Sequence, residues 1–173
     1  SDAAPADPVV VPRFEFDEAS VAGLQKRMAS GELTARRLTE ACLARIAALD
    51  RQGPELRSVI ETNPEALTVA EALDAERRAK GPRGALHGIP VLVKDNVDTA
   101  DRMTTTAGSL ALEGSTPPRD AHVAAQLRAA GAVILGKTVT TELAFYRPGK
   151  TRNPHDPART PGGSSSGSAA AVA

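Results

Sequence analysis

Aromatic side chains are nearly missing from this chain: three Phe, one Tyr and no Trp make up 2% of its 173 residues. A protein that stacks on bases needs such rings, and one that grips a phosphate backbone needs a basic excess. Here 21 Lys and Arg balance 21 Asp and Glu, so nucleic acid is not an expected partner. Cysteine occurs once, at Cys42, which excludes an intrachain disulfide framework and any multi-cysteine metal site. His87, His122 and His155 lack the close spacing of a zinc motif, and neither a metal nor a cofactor is expected. No apolar run approaches the length of a membrane span, so a membrane is not an expected partner either. The first twelve residues, rich in Ala, Pro and Val, lack the basic patch and apolar core of a signal peptide. Compartment stays open between the cytoplasm and, for a processed N-terminus, the periplasm.

What is present alternates between helix and strand patterns. Asp17 is placed to cap a helix carrying Val21, Leu24 and Met28 and ending at Gly31. Thr34 caps a longer one with Leu38, Cys42, Ile46 and Leu49 on one face, where Cys42 reads as core rather than nucleophile. Ser58-Val59-Ile60 is a short strand, and Asn63-Pro64 opens a charged helix through Arg78. Pro90-Val91-Leu92-Val93 is apolar at every position, as in a strand covered on both faces, and delivers Lys94-Asp95-Asn96 at its C-terminal end. Asp120 caps a helix with Val123 and Leu127, closed by Gly131, and Ala132-Val133-Ile134-Leu135 is a further buried strand. A last helix is expected over 140–145. The order predicts an α/β fold with helices packed on a mixed, mostly parallel sheet.

Two motifs carry possible chemistry. Gly131-Ala132-Val133-Ile134-Leu135-Gly136-Lys137-Thr138 matches the phosphate-loop pattern letter for letter, which opens a nucleotide-binding reading. A phosphate loop must follow a strand and curl its N–H groups toward the phosphates. Here a helix precedes, and the intervening residues are four apolar ones that read as the strand itself, so Lys137 is assigned a structural role. The second motif is Thr160-Pro161-Gly162-Gly163-Ser164-Ser165-Ser166-Gly167-Ser168, running into an alanine-rich helix former. Such composition suits a flexible linker or a shaped loop that presents hydroxyls and N–H groups. Lys94, directly after a buried run, either snorkels or pairs with Asp95, or serves chemistry at a strand end where α/β ligands sit.

Four blocks resemble the amidase signature family when taken together. They are His87-Gly88-Ile89-Pro90-Val91-Leu92-Val93-Lys94-Asp95-Asn96, Thr106-Ala107-Gly108-Ser109, the segment from Ala130 to Thr138, and Pro161-Gly162-Gly163-Ser164-Ser165-Ser166-Gly167. The resemblance implies a serine hydrolase that cleaves carboxamide C–N bonds with a Ser–cisSer–Lys triad. On it, Lys94 matches the catalytic lysine and Ser164 the bridging serine. Ser165 matches a supporting neighbour, beside Gly162 and Gly163 in the same loop. A free lysine, with a pKa of about 10.4, is charged at neutral pH, so a lysine base needs surroundings that disfavour the charge. Lys94 is accordingly expected to be largely buried. The nucleophile is expected some two dozen residues beyond the bridging serine, and no serine of this chain matches it. Residues 1–16 are therefore assigned to an N-terminal extension, and 17–173 to the N-terminal part of an amidase signature domain continuing beyond 173. By itself the chain is expected to be inactive. Its implied partners are a small-molecule or peptide amide substrate and the remainder of the domain, with a homo-oligomer left open.

Within the family, Ser58-Val59-Ile60-Glu61-Thr62-Asn63-Pro64 and Ala107-Gly108-Ser109-Leu110-Ala111-Leu112 look most similar to bacterial peptide amidases. The alternative is the A subunit of a tRNA-dependent glutamyl amidotransferase. Outside enzymes, the alternatives are the nucleotide-binding module and an inactive truncated fragment.

Overall fold

The computed structural model describes residues 13–173. Helix α1 (Val21–Ala29) starts at Ser20, whose hydroxyl accepts the Gly23 N–H at 3.1 Å, and not at Asp17. Leu24 and Met28 point inward. Helix α2 (Ala35–Ile46) is capped by the Thr34 hydroxyl. A buried carboxylate from the next helix, Asp74, adds to that cap by accepting the N–H groups of Ala35 (2.7 Å) and Arg36 (3.0 Å). Two N–H donors that have no partner within the helix are thus satisfied by a residue 38–39 positions away.

Strand β1 (Val59–Thr62) is followed by α3 (Ala66–Lys80), which begins two residues after the Asn63-Pro64 pair. Asn63 does not sit at the helix cap position. Its side chain accepts from Glu65 N–H and donates to the Ile134 carbonyl, tying the turn to the neighbouring strand. Strand β2 (Pro90–Lys94), α4 (His122–Ala129), β3 (Val133–Thr138) and α5 (Ser166–Val172) complete the order. Asp120 does not cap α4. It accepts from Ala100 N–H and pairs with Arg128, leaving Ala121 at the helix start. The helix expected over 140–145 is a single 3₁₀ turn, Glu142–Ala144, because Leu143 and Ala144 take positive φ (48° and 62°) that breaks a helix.

The three strands form a mixed sheet in the order β1-β3-β2, with β3 antiparallel to β1 and parallel to β2. Central β3 is buried at all six positions and takes in Gly136, Lys137 and Thr138. Strand β2, apolar enough in sequence for cover on both faces, is an edge strand in this sheet, and only Val93 is fully buried. Helices α1, α2 and α3 cover one face, with Leu24, Met28, Leu38, Leu73, Val133 and Leu135 in the main core. On the other face Val93, Met103, Ala124 and Ile134 form a smaller cluster under α4. Of the N-terminal extension assigned to 1–16, residues 1–12 lie outside the described residues. Phe14 and Phe16 of that segment pack into the main core.

Candidate active site

The parallel pairing of β2 with β3 sets Lys94 opposite Thr138 at the C-terminal ends of both strands. Helix α5 comes down on that end of the sheet, where Gly167 N–H donates to the Val139 carbonyl at 2.9 Å. Only glycine fits there, since a Cβ would lie 2.2 Å from the Ser58 carbonyl oxygen and 2.3 Å from the Val139 nitrogen. The close approach brings the segment before α5 over the strand ends. Lys94 Nζ then donates to Ser164 Oγ at 2.5 Å. The two residues are 70 apart in sequence, and both are half-buried. Lys94 is less buried than a lysine base was expected to be, because an edge strand leaves one flank of its side chain open.

The backbone around Ser164 is fixed on several sides. The Gly163–Ser164 peptide bond is cis. Thr141 N–H donates to the Ser164 carbonyl at 2.9 Å. A Cβ at Gly163 would sit 2.7 Å from Thr141 Cγ2, and Gly162 takes a left-handed φ of 82°. The run 160–168 is therefore a shaped loop and a helix start, not a linker. Ser165 lies at the exposed N-cap position of α5 and makes no capping bond with its side chain. Ser166 is buried with its hydroxyl unpaired, as is the Thr141 hydroxyl, while Ser168 Oγ lies 2.7 Å from Thr138 Oγ1.

Asp95, the alternative partner for Lys94, is turned the other way. Its buried carboxylate accepts both the N–H and the hydroxyl of Thr106. Lys137 is fully buried, and its amine donates to the Val97 carbonyl (2.8 Å) and the Thr105 hydroxyl (2.6 Å). Burial lowers its pKa, an effect opposed by the negative charges of Asp95, Asp101, Asp98 and Glu61. Residues 133–138 are strand, so no loop exists at the phosphate-loop match to wrap an anion. Thr106 is marked in the sequence only as the first residue of a resembling block, and nothing local to Thr141 signals its bond to Ser164.

The amidase family model matches residues 37–173, spanning these strands and the Gly/Ser segment. The chain belongs to the amidase family. The native peptide amidase from Stenotrophomonas maltophilia superposes with a TM-score of 0.88 at 53% identity, over 92% of this chain and 35% of that one. The A subunit of glutamyl-tRNA(Gln) amidotransferase from Chloroflexus aurantiacus is 45% identical over 166 residues, covering 92% of this chain and 33% of its own length. The crystal structure of the same amidotransferase component from Thermotoga maritima has a TM-score of 0.67 and 30% identity over 94% of this chain and 33% of that one. This amidase chain thus spans about a third of the length of the relatives it matches. The α/β fold of the amidase family applies to it.

Proposed function

We propose that this chain carries the base and the proton relay of a serine amidohydrolase that cleaves carboxamide C–N bonds. The observation that supports it is the 2.5 Å contact of Lys94 Nζ with Ser164 Oγ in a member of the amidase family. In the reaction, a serine from a segment outside these 173 residues attacks the amide carbonyl. Its proton passes to Ser164 Oγ as the Ser164 proton passes to neutral Lys94. The tetrahedral intermediate then collapses. The Lys94 ammonium returns a proton along the same path to the leaving nitrogen, giving an acyl-enzyme and ammonia or an amine. Water repeats the sequence and releases the acid. Gly162 turns the loop with its left-handed φ, Gly163 lets it approach Thr141, and Ser165, exposed at the start of α5, is assigned a supporting role beside Ser164.

For the substrate we favour small or C-terminal peptide carboxamides, on the higher identity and TM-score to the peptide amidase. The amidotransferase reading keeps the support of a 45% identical relative of that kind. Ammonia release from C-terminally amidated dipeptides and from glutamine separates the two. The peptide-amidase reading predicts turnover of the amidated peptide by the protein with no partner chain. Release of ammonia only from glutamine, and only with partner chains present, would overturn it.

The remaining two-thirds of the relatives' length would also cover an apolar trough. Cys42 and Ile46 of α2, Pro90, Val91 and Leu92 of β2, and Ala171 and Val172 of α5 line it.

A further inference from the structure

Lys137, which the proposed reaction does not use, sits in a row of charge across the sheet. On β1 its antiparallel partner is Glu61, and on β2 its parallel partner is Val93, one residue before Lys94. Just past the end of β2 comes the buried Asp95. Three charged side chains, one from each strand or its end, thus meet the same loop, and each takes one of three consecutive threonines. Glu61 accepts the N–H and hydroxyl of Thr104, both at 2.9 Å. Lys137 donates to the hydroxyl of Thr105 at 2.6 Å. Asp95 accepts the N–H and hydroxyl of Thr106. A carboxylate that takes both donors of one residue fixes its backbone and its stiff side chain together.

The loop so held reaches both halves of the candidate site. On the Lys94 side, Ala107 N–H donates to the Asp95 carbonyl at 2.9 Å, and Lys137 also holds the Val97 carbonyl that ends the turn after Lys94. On the Ser164 side, the Ala107 carbonyl accepts from Leu143 N–H at 2.8 Å, and the Ser109 hydroxyl donates to Glu142 at 3.3 Å. Thr141, two residues before Leu143, donates its N–H to the Ser164 carbonyl.

We propose that Glu61, Lys137 and Asp95 clamp loop 104–109 as a strut that sets the spacing of Lys94 and Ser164, making Lys137 and Thr106 positioning residues for amide hydrolysis. The inference rests on the assignment of Lys94 as base and Ser164 as relay. A base and relay misplaced by about 1 Å lose on the order of 100-fold in rate, so loosening the strut acts on turnover while substrate affinity is left alone.

The test compares Thr106→Val, which keeps shape and loses the hydroxyl, with Thr106→Ser, which keeps the hydroxyl, and with Lys137→Met, in the whole protein acting on an amidated dipeptide. Native-state amide exchange is followed at Ala107, Leu143 and, as a core control, Leu38. The clamp predicts that Thr106→Val and Lys137→Met lower kcat at least about tenfold with KM within about twofold, and that Thr106→Ser restores kcat. Exchange at Ala107 and Leu143 rises in the first two variants while Leu38 stays protected. Unchanged kcat in a folded Thr106→Val protein, or unchanged exchange at Ala107 and Leu143, would overturn the strut. Lack of amide turnover in the unmodified protein, or full turnover after Lys94→Ala, would instead overturn the base assignment. The exchange measurement would then decide the clamp by itself.

Discussion

At the scale of single residues, burial decides which side chains are available for chemistry. Desolvation pushes the Cys42 thiol up to about 11, so its thiolate is scarce at neutral pH. Cys42 is expected to react with a disulfide reagent at pH 8 on the order of 100-fold more slowly than a free thiol; labelling at the free-thiol rate would show the thiol exposed and ionised. Lys137 shows the same physics with the opposite sign of charge. Its pKa in the folded chain lies below the unfolded value, so the unfolded chain holds the extra proton in the window below about 10.5. Stability relative to Lys137→Met should therefore rise as pH climbs through that window, read by urea unfolding at several alkaline pH values. A difference that falls with pH would mean that the carboxylates around Lys137 outweigh its burial. Equilibrium dialysis with ATP and Mg²⁺ should find no saturable binding, since the match to the phosphate loop is a buried strand.

At the scale of elements, helix and strand identities are legible in the sequence because hydrophobic period and caps are local. Thr34 capping α2 and Gly81 ending α3 are written in neighbouring residues. What is not legible comes from partners far away in sequence. Asp74 at the start of α2 and Asn63 bonding to β3 are settled by packing, and so is Asp120, drawn from a helix cap to Arg128. The turn at Glu142–Ala144 reads as helix in the sequence because no side chain announces the positive φ of Leu143 and Ala144. At the site, Lys94 stands out locally as a lysine after a buried strand, but its pairing with Ser164 is legible only through a resemblance spanning four blocks. Nothing in either local segment specifies a contact across 70 residues. That contact depends on α5 lying against Val139 and Ser58, which makes Gly167 a sharp test. Gly167→Ala must displace α5 and should cost about 3 kcal/mol, seen as a lower unfolding midpoint. A fully stable Gly167→Ala protein would mean that α5 does not dock so closely.

At the scale of the whole molecule, the sheet has an edge at β2, and the trough beside α5 leaves apolar side chains open, Val172 among them at 87% exposure. In the proposed mechanism Lys94 and Ser164 are base and relay and the nucleophile lies elsewhere, so these 173 residues expressed alone should not be labelled by a serine-directed fluorophosphonate. Stoichiometric labelling lost on Ser→Ala at 164, 165, 166 or 168 would place the nucleophile inside this chain. The proposal that Lys94 and Ser164 act as one proton path is open to a double-mutant cycle on the whole protein. Lys94→Met and Ser164→Ala are each predicted to lower kcat/KM for an amidated peptide on the order of 10³-fold with the fold intact, and the double variant should be little worse than the poorer single one. Either single variant within about tenfold of the unmodified protein, or losses that multiply in the double variant, would contradict a shared path.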